Sequence, residues 1–145
     1  MPPPPAAPSG PDQAFSLRLL NEARAANGLP GLMLDSALST AAQRHAEDMA
    51  RNNYLSHTNG AGQQSWDRMA AAGAQFGTAG ENIGRISSGG GSAQPGIQTL
   101  HNMMMAETPP DDGHRRNDLA PQFRRVGVGV AYGGGMLYWV CDFAD

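Results

Sequence analysis

Two histidines and two glutamates stand out because each lies at a predicted helix end, between glycines or in a loop. They are His57, Glu81, Glu107 and His114. Two imidazoles and two carboxylates are a sufficient set to bind one divalent cation or to move a proton near neutral pH. No short ligand motif of the His-x-x-x-His type joins His57 to His114, so their spacing alone does not predict a shared site.

The same four side chains admit several chemical roles. Neutral imidazole is a good Zn²⁺ ligand, and a carboxylate bonded to the other ring nitrogen fixes the tautomer. Glu81 and Glu107 are therefore candidates either for ligands or for orienting partners of the histidines. Two histidine ligands leave coordination positions open and predict a modest, pH-sensitive affinity. In an enzyme, Glu81 or Glu107 could act as the base toward a metal-bound water, and both are the catalytic candidates.

Hydrophobic periodicity predicts the elements that must position these residues. Helices are expected over residues 12–27, 35–52, 64–72 and 95–107, with Trp66 and Met69 facing inward and with loops at 29–34 and 109–117. Alternating apolar residues over 126–132 and 137–143 predict two antiparallel strands, joined by glycines. Because one face of the first strand is nearly bare, a helix can approach it closely, and helices are expected on both sides of the sheet. The predicted fold class is α+β, a helix–sheet–helix sandwich ending in an antiparallel hairpin.

Composition excludes several classes of protein. The 145-residue chain has a formal net charge of −3, and its ten basic residues, all arginines, are scattered, so nucleic acid is not an expected partner. The longest weakly polar run, residues 126–140, is interrupted by glycines and is too short to span a bilayer. The single cysteine, Cys141, cannot form an internal disulfide and is expected to pack in the core.

Proline content divides the chain into two parts. Six of the eleven prolines fall within residues 1–11, which are predicted to be a tail or linker, and residues 12–145 are predicted to be one domain. A proline-rich spacer is common where an export signal or lipid anchor has been removed, so we expect a secreted or extracytoplasmic monomer. A cytoplasmic protein with a natural proline-rich start is the alternative.

The other two histidines are interpreted as structural. His45 shares the predicted core-facing side of the second helix with Leu38 and Met49, which favours a packed imidazole. His101 lies in the fourth helix beside three methionines that are typical of core filler, so it is assigned to packing or to the surface. Neither histidine is expected to bind a metal.

Several separated pieces of the chain resemble, in the same order, the signatures of one family. These pieces are Ser-His-Thr at 56–58, Gly-Glu-Asn-Ile at 80–83, Gly-His-Arg-Arg-Asn at 113–117 and Val-Gly-Val-Gly at 126–129. They resemble the CAP superfamily of cysteine-rich secretory proteins, antigen 5 and plant pathogenesis-related proteins. The similarity covers essentially the whole chain after the tail. The arginine-rich, lysine-free composition is typical of a bacterial member from a GC-rich genome.

The resemblance implies a three-layer α-β-α sandwich whose central cleft holds a His/Glu tetrad. His57, Glu81 and His114 match the family's pieces directly. Glu107 is the expected fourth member because it ends the helix that precedes the Gly-His piece. The chain departs from the common pattern in a longer link to His114 and in Asp118, an acid where the family tends to be apolar.

Three functions are compatible with this resemblance. The first is a binding module that holds a divalent metal, expected to be Zn²⁺, through His57 and His114 with the two glutamates in support. Its ligand would be a small molecule, a lipid or a peptide. The second is a metal-dependent, peptidase-like hydrolase. The third is a sterol or lipid carrier with an apolar groove near Trp66, Phe76 and the methionine-rich helix.

Overall fold

The computed structural model describes residues 10–145. This part of the chain contains five helices and four strands. The helices are α1 (Pro11–Ala26), α2 (Ser36–Asn52), α3 (Ser65–Ala71), α4 (Gln94–Met105) and α5 (Gly113–Asp118). The strands are β1 (Met33–Leu34), β2 (Ala79–Ser87), β3 (Arg125–Gly133) and β4 (Met136–Ala144). Most of the predicted tail, residues 1–9, lies outside the described residues, and α1 begins at Pro11.

The four strands form one mixed sheet in the order β1-β3-β4-β2. The predicted C-terminal hairpin is confirmed, since β3 and β4 pair antiparallel with Val128 opposite Cys141. β2 runs antiparallel along the other side of β4, which places Glu81 opposite Asp142. β1 pairs with β3 in parallel over two residues. The hairpin is therefore the centre of the sheet, and β2, which carries Glu81, is an edge strand.

α2 lies directly on the glycine-rich face of β3, as the bare face predicts. Its side chains bond to the strand's backbone: Ser39 Oγ accepts from the Val128 N–H at 3.2 Å, and Gln43 Oε1 accepts from the Val130 N–H at 2.9 Å. Such bonds require the helix and strand backbones to be close, which the missing side chain at Gly127 permits. Side chains of α2 thereby bond to the backbone N–H groups on the edge of β3 that lie beyond the two-residue strand β1.

The opposite face of the sheet is covered by α1 and α4. Leu20 of α1 and Ile97 of α4 are fully buried in one apolar cluster with Val128 and Trp139 of the hairpin. The three-layer α-β-α arrangement and the α+β class are confirmed. Cys141 is free and buried in this cluster, so its predicted packing role is confirmed as well. Within the described residues, no helix is long and apolar enough to cross a membrane.

A buried arginine fastens α1 to the segment that carries α5. Arg24 is 0% exposed. Its guanidinium donates to the carbonyl oxygens of Pro30, Asp118, Ala120 and Phe123 over 2.8–3.1 Å. Because guanidinium presents several donors in a fixed fork, one side chain satisfies the carbonyls of two separate turns. The buried side chain of Arg24 therefore fixes the position of the C-terminal end of α5 relative to α1.

Two local expectations are wrong, and one strand was not predicted. Residues 79–87, for which the sequence pattern makes no prediction, form β2 although seven of the nine are small or polar residues that weaken a strand signal, and the long pairing with β4 overrides local preference. The segment from Gly113 to Asp118 is helical rather than a loop. The connector after α1 contains β1, which exists only through its pairing with β3.

Trp66 is also placed wrongly by the sequence pattern. Its exposed fraction is 54%, whereas Met69 is fully buried as predicted. The inward face of the short helix α3 is formed by Ser65, Arg68 and Met69, at three- and four-residue spacing. Trp66 falls outside that stripe because an arginine occupies the inward position.

Candidate functional site

His57 lies in the loop after α2 and pairs with Glu81 at the start of β2. The distance from His57 Nδ1 to Glu81 Oε1 is 2.9 Å. The two side chains differ in environment, since 53% of the His57 side chain is exposed and 2% of the Glu81 side chain. A buried carboxylate therefore supports an imidazole that is open to solvent.

Arg68 of α3 holds the other oxygen of this carboxylate. Its Nη2 donates to Glu81 Oε2 at 2.6 Å, and its Nη1 donates to the carbonyl oxygens of His57 at 2.7 Å and Gln63 at 3.0 Å. One guanidinium thus connects α3, β2 and the loop that carries His57. Arg68 could not be recognised as a site residue from the sequence, because an arginine in a short helix resembles any solvated charge.

His114 forms a second pair with Glu107. His114 Nδ1 is 2.6 Å from Glu107 Oε2, while Glu107 Oε1 accepts from the backbone N–H groups of His114 at 3.0 Å and Arg115 at 3.1 Å. Glu107 follows the end of α4, and its carboxylate binds N–H groups in the first turn of α5. The same side chain therefore starts the helix and fixes the imidazole that the helix carries.

Two asparagines join the two pairs across the edge strand. Asn82 Nδ2 donates to the His114 carbonyl at 3.0 Å and to Asp118 Oδ1 at 2.9 Å. Asn117 Nδ2 donates to the Glu81 carbonyl at 3.1 Å and to Asn82 Oδ1 at 2.8 Å. α5 is consequently bonded to β2 beside Glu81, so both His–Glu pairs are anchored at the beginning of one strand.

The charges of the two glutamates are stabilised by their partners. Burial alone would raise the pKa of Glu81, but hydrogen bonds to His57 and Asp142 and the charge of Arg68 outweigh it and lower the pKa to about 2. Partial burial likewise opposes ionisation of Glu107, and hydrogen bonds from His114 and Arg115 outweigh it and lower the pKa. Both carboxylates are therefore ionised at neutral pH, and each accepts a proton-bearing Nδ1.

Asp142 lies behind Glu81 and has the opposite protonation preference. It is 0% exposed and faces Glu81 across the β2–β4 ladder. Burial, followed by the charge of Glu81, raises the pKa of Asp142 well above its ordinary value. A protonated Asp142 can donate to the Glu81 carboxylate. A signal for this residue exists in the sequence, because Asp142 is the single acid in the otherwise apolar strand β4.

The hydrogen bonds define what each pair can offer to a metal ion. Each histidine uses Nδ1 for its carboxylate, so Nε2 is the nitrogen left for a ligand. All four carboxylate oxygens of Glu81 and Glu107 already accept hydrogen bonds. Across residues 10–145, no group of three or more His, Cys, Asp or Glu side chains is arranged to hold a metal. A cation here would thus have imidazole nitrogens and exogenous groups as its ligands.

The other two histidines are buried and do not join the pairs. His45 is 1% exposed, and its Nε2 lies 2.7 Å from the Ser56 carbonyl oxygen. His101 is 7% exposed in α4. The interpretation of both as packed histidines is confirmed, although His45 lies directly beneath the loop that carries His57.

Asp118 is expected to make stability fall with rising pH. It is 1% exposed, and burial raises its pKa to about 7 although the Asn82 hydrogen bond opposes this. The folded state therefore keeps a proton that the unfolded state loses above its lower, ordinary pKa. The stabilisation of the folded state by this proton is greatest below the pKa that Asp118 has in the unfolded state, and it is lost as the pH rises through the pKa that Asp118 has in the folded state. The free energy of unfolding should fall by about 2 kcal/mol between about pH 5 and pH 7.

The measurement is urea unfolding of the wild type and Asp118→Asn at several pH values. Asparagine keeps an oxygen that accepts from Asn82 and has no proton to lose, so its profile should lack this fall. Only the difference between the two profiles reports on Asp118, because other groups titrate equally in both. Parallel profiles across this range would show that the carboxyl does not titrate as expected.

Comparison with known proteins agrees with this architecture. The CAP cysteine-rich secretory protein family matches residues 17–143. The uncharacterized protein YkwD of Bacillus subtilis is 32% identical over 127 residues, which cover 88% of this chain and 44% of that protein. An extracellular SCP-domain protein of Bacillus anthracis superposes with a TM-score of 0.70 at 27% identity, over 94% of this chain and 44% of the other.

A more distant solved structure has the same fold. NaASP2, whose crystal structure was determined with Zn²⁺, has a TM-score of 0.73 at 15% identity, covering 97% of this chain and 82% of that one. By contrast, the chain spans less than half the length of the two Bacillus proteins. Since the family match extends over nearly the whole described domain, this chain belongs to the CAP, or cysteine-rich secretory protein, family.

Proposed function

We propose that this CAP domain is an extracytoplasmic binding module that holds Zn²⁺ through Nε2 of His57 and Nε2 of His114. One observation carries the proposal: in both histidines Nδ1 is occupied by an ionised glutamate, which leaves the Nε2 lone pair available. A carboxylate–histidine pair of this kind orients the ring and raises its basicity toward a metal. A single pair of this kind would be enough to fasten a loop or a helix to the sheet, whereas this chain attaches two of them to one strand edge.

The glutamates act in this proposal as orienting groups. Their oxygens are engaged by the histidines, by Arg68 and by backbone N–H groups, so binding a metal directly would break those bonds. Two imidazole ligands leave coordination positions for water or for a donor group of a ligand. The bound metal would supply an electrophilic centre for that donor, and the affinity should be modest and decline when the histidines protonate.

The comparisons support the proposal in two respects. The fold is shared with NaASP2, a protein whose crystal structure was determined with Zn²⁺. A relative at 27% identity is described as an extracellular protein, which supports an extracytoplasmic setting for this domain. The natural ligand would then be a molecule outside the cytoplasm, and the domain would act as a monomer.

The geometry does not favour the hydrolase. A general base needs an oxygen free to take a proton from the attacking water. The oxygens of Glu81 and Glu107 are all occupied, and releasing either carboxylate would free the imidazole that it orients.

The lipid carrier is not favoured either. Phe76 packs with the cluster around α2 and α3, whereas Met104 of the methionine-rich helix packs in the cluster on the opposite side of the sheet. Trp66 is largely exposed and belongs to neither cluster. These residues therefore do not line one apolar groove.

Removing either metal-binding histidine is expected to reduce Zn²⁺ affinity at least about tenfold. His57→Ala and His114→Ala each leave a single imidazole, and Glu107→Gln, which keeps an oxygen but loses the charge, should weaken binding about tenfold or more. The measurement is zinc titration of the untagged protein at neutral pH, followed by total metal analysis. His101→Gln is the control, because this histidine lies elsewhere in α4.

Two results would contradict the proposal. One is the absence of saturable zinc uptake by the wild type at neutral pH. The other is an affinity that stays the same in His57→Ala and His114→Ala, which would place the bound metal elsewhere. Circular dichroism of each variant distinguishes loss of a ligand from loss of the fold.

A further inference from the structure

The two edges of the sheet differ in what covers them. On one side, β1 pairs with β3, and beyond it Ser39 and Gln43 of α2 accept hydrogen bonds from backbone N–H groups of β3. On the other side, β2 is the last strand of the sheet. The outer main-chain groups of a last strand are the place where a sheet can accept another strand.

Alternation along β2 identifies which main-chain groups point outward. In an antiparallel ladder the N–H and C=O of one residue point to the same side, and successive residues alternate. The Ser88 N–H donates to the Gly135 carbonyl at 2.8 Å, and the Thr78 carbonyl accepts at the other end of the strand, so even-numbered residues face β4. The register between them is unbroken from Ala79 to Ser87. The odd-numbered residues therefore direct both groups away from the sheet.

The unpaired part of this edge is short and has a defined end. The Glu81 carbonyl accepts from Asn117 Nδ2 at 3.1 Å, so α5 occupies the beginning of the edge. Beyond it, the outward N–H and C=O groups of Ile83, Arg85 and Ser87 form no hydrogen bond with any part of residues 10–145. Ile83 is buried, whereas Arg85 and Ser87 are exposed. The unpaired segment is about 15 Å long, which matches a short extended peptide.

Arg85 decides which strand suits this edge. Its side chain is exposed, and within the described part of the chain it takes part in no salt bridge; its Nη1 lies 3.5 Å from the Tyr138 hydroxyl. A second copy of the chain, paired antiparallel over the same segment, would place two Arg85 side chains directly opposite each other. Like charges in that position destabilise a sheet, whereas opposite charges stabilise it. The edge therefore favours a strand with an acidic residue at this position over a second copy.

We propose that the outer edge of β2 binds an extended peptide with an acidic side chain opposite Arg85. The main chain of the peptide bonds to the outward N–H and C=O groups of Arg85 and Ser87 and stops at Ile83, before the part of the edge that α5 occupies. These main-chain bonds supply affinity, and the charge of Arg85 selects the acidic residue. The site uses neither His57 nor His114, so it does not depend on zinc.

The test is a ¹H–¹⁵N NMR titration of the chain, kept free of zinc by a chelator, with the peptide acetyl-Thr-Val-Glu-Val-Thr-amide. Saturable shifts are expected for the backbone amides of Arg85 and Ser87, because their N–H groups gain an acceptor. A second peptide has lysine in place of the glutamate and should bind at least about fivefold more weakly.

Two variants separate the charge from the main chain. Arg85→Glu should reverse the preference, so that the lysine peptide binds more tightly than the glutamate peptide. Ser87→Pro removes an outward N–H that takes no part in the pairing with β4, so the fold should persist while the Kd rises about threefold to tenfold. Arg18→Glu makes the same change of charge on the exposed side of α1 and should leave the Kd unchanged. Circular dichroism of each variant verifies the fold.

Three results would overturn the proposal. The absence of saturable shifts at Arg85 and Ser87 with millimolar peptide would mean that Arg85 only prevents the edge from pairing. Equal affinities for the two peptides, in the wild type and in Arg85→Glu, would show that charge does not select the strand. A dimer in sedimentation that Ser87→Pro dissociates would make a second copy the occupant. Because zinc is absent throughout, none of these results bears on the proposed metal site.

Discussion

Arg68→Ala is expected to lower the free energy of unfolding by about 3–5 kcal/mol. The substitution leaves the Glu81 carboxylate buried without its cation, and a buried ion that loses its partner costs far more than the pair itself contributed. It also removes the donors to the carbonyl oxygens of His57 and Gln63. We expect the loop that carries His57 to become less ordered as well, since Arg68 connects it to the rest of the fold.

The measurement is urea denaturation followed by circular dichroism, with Arg68→Lys and Arg18→Ala alongside. Lysine keeps the charge but not the planar fork, so Arg68→Lys should fall between wild type and Arg68→Ala. The Arg18–Glu22 pair is exposed on both sides, and Arg18→Ala should cost less than about 1 kcal/mol. Similar losses for Arg68→Ala and Arg18→Ala would show that the buried pair is not coupled to stability.

Elements with a strong local pattern could be predicted from the sequence. The hairpin follows from alternation along Val126, Val128 and Val130 with glycines between them, a pattern that needs no information from the rest of the chain. α2 follows from its apolar periodicity and from Asp35, whose Oδ1 accepts from the Leu38 N–H at 2.9 Å. In both cases the residues that form the element also specify it.

Elements that depend on distant partners could not be predicted. β2 contains two glycines and polar residues, and it becomes a strand through its pairing with β4 more than fifty residues later in the chain. β1 is two residues long and is defined by its register with Arg125 and Val126. α5 is a short helix whose first turn is held by the carboxylate of Glu107. Each of these elements is specified by tertiary contacts.

The same division applies to the candidate site. The family resemblance identified His57, Glu81, Glu107 and His114, but spacing could not show which glutamate pairs with which histidine. The structure supplies the pairing. The supporting side chain, Arg68, was missed because a buried arginine and a solvated one look alike in sequence; only tertiary contacts reveal it.

Gly127→Ala is expected to cost about 3 kcal/mol or more, because the space for a side chain is occupied by the backbone of α2. A Cβ at residue 127 would lie 2.0 Å from the Leu38 carbonyl carbon and 2.2 Å from the Ser39 nitrogen. Backbone cannot rotate away as a flexible side chain can, so α2 as a whole would have to move off the sheet. That movement would break the Ser39 hydrogen bond to Val128 and disturb the apolar contacts of α2 with β4.

The matched control is Gly89→Ala, since a Cβ at residue 89 would meet no atom within 4 Å and its backbone is not in the left-handed region. Its free energy of unfolding should stay within about 0.5 kcal/mol of wild type. If Gly127→Ala unfolds at the same urea concentration as Gly89→Ala, α2 does not lie against β3 as described. If Gly127→Ala is destabilised as expected, its zinc affinity should also fall, because the loop that carries His57 begins where α2 ends and moves with that helix.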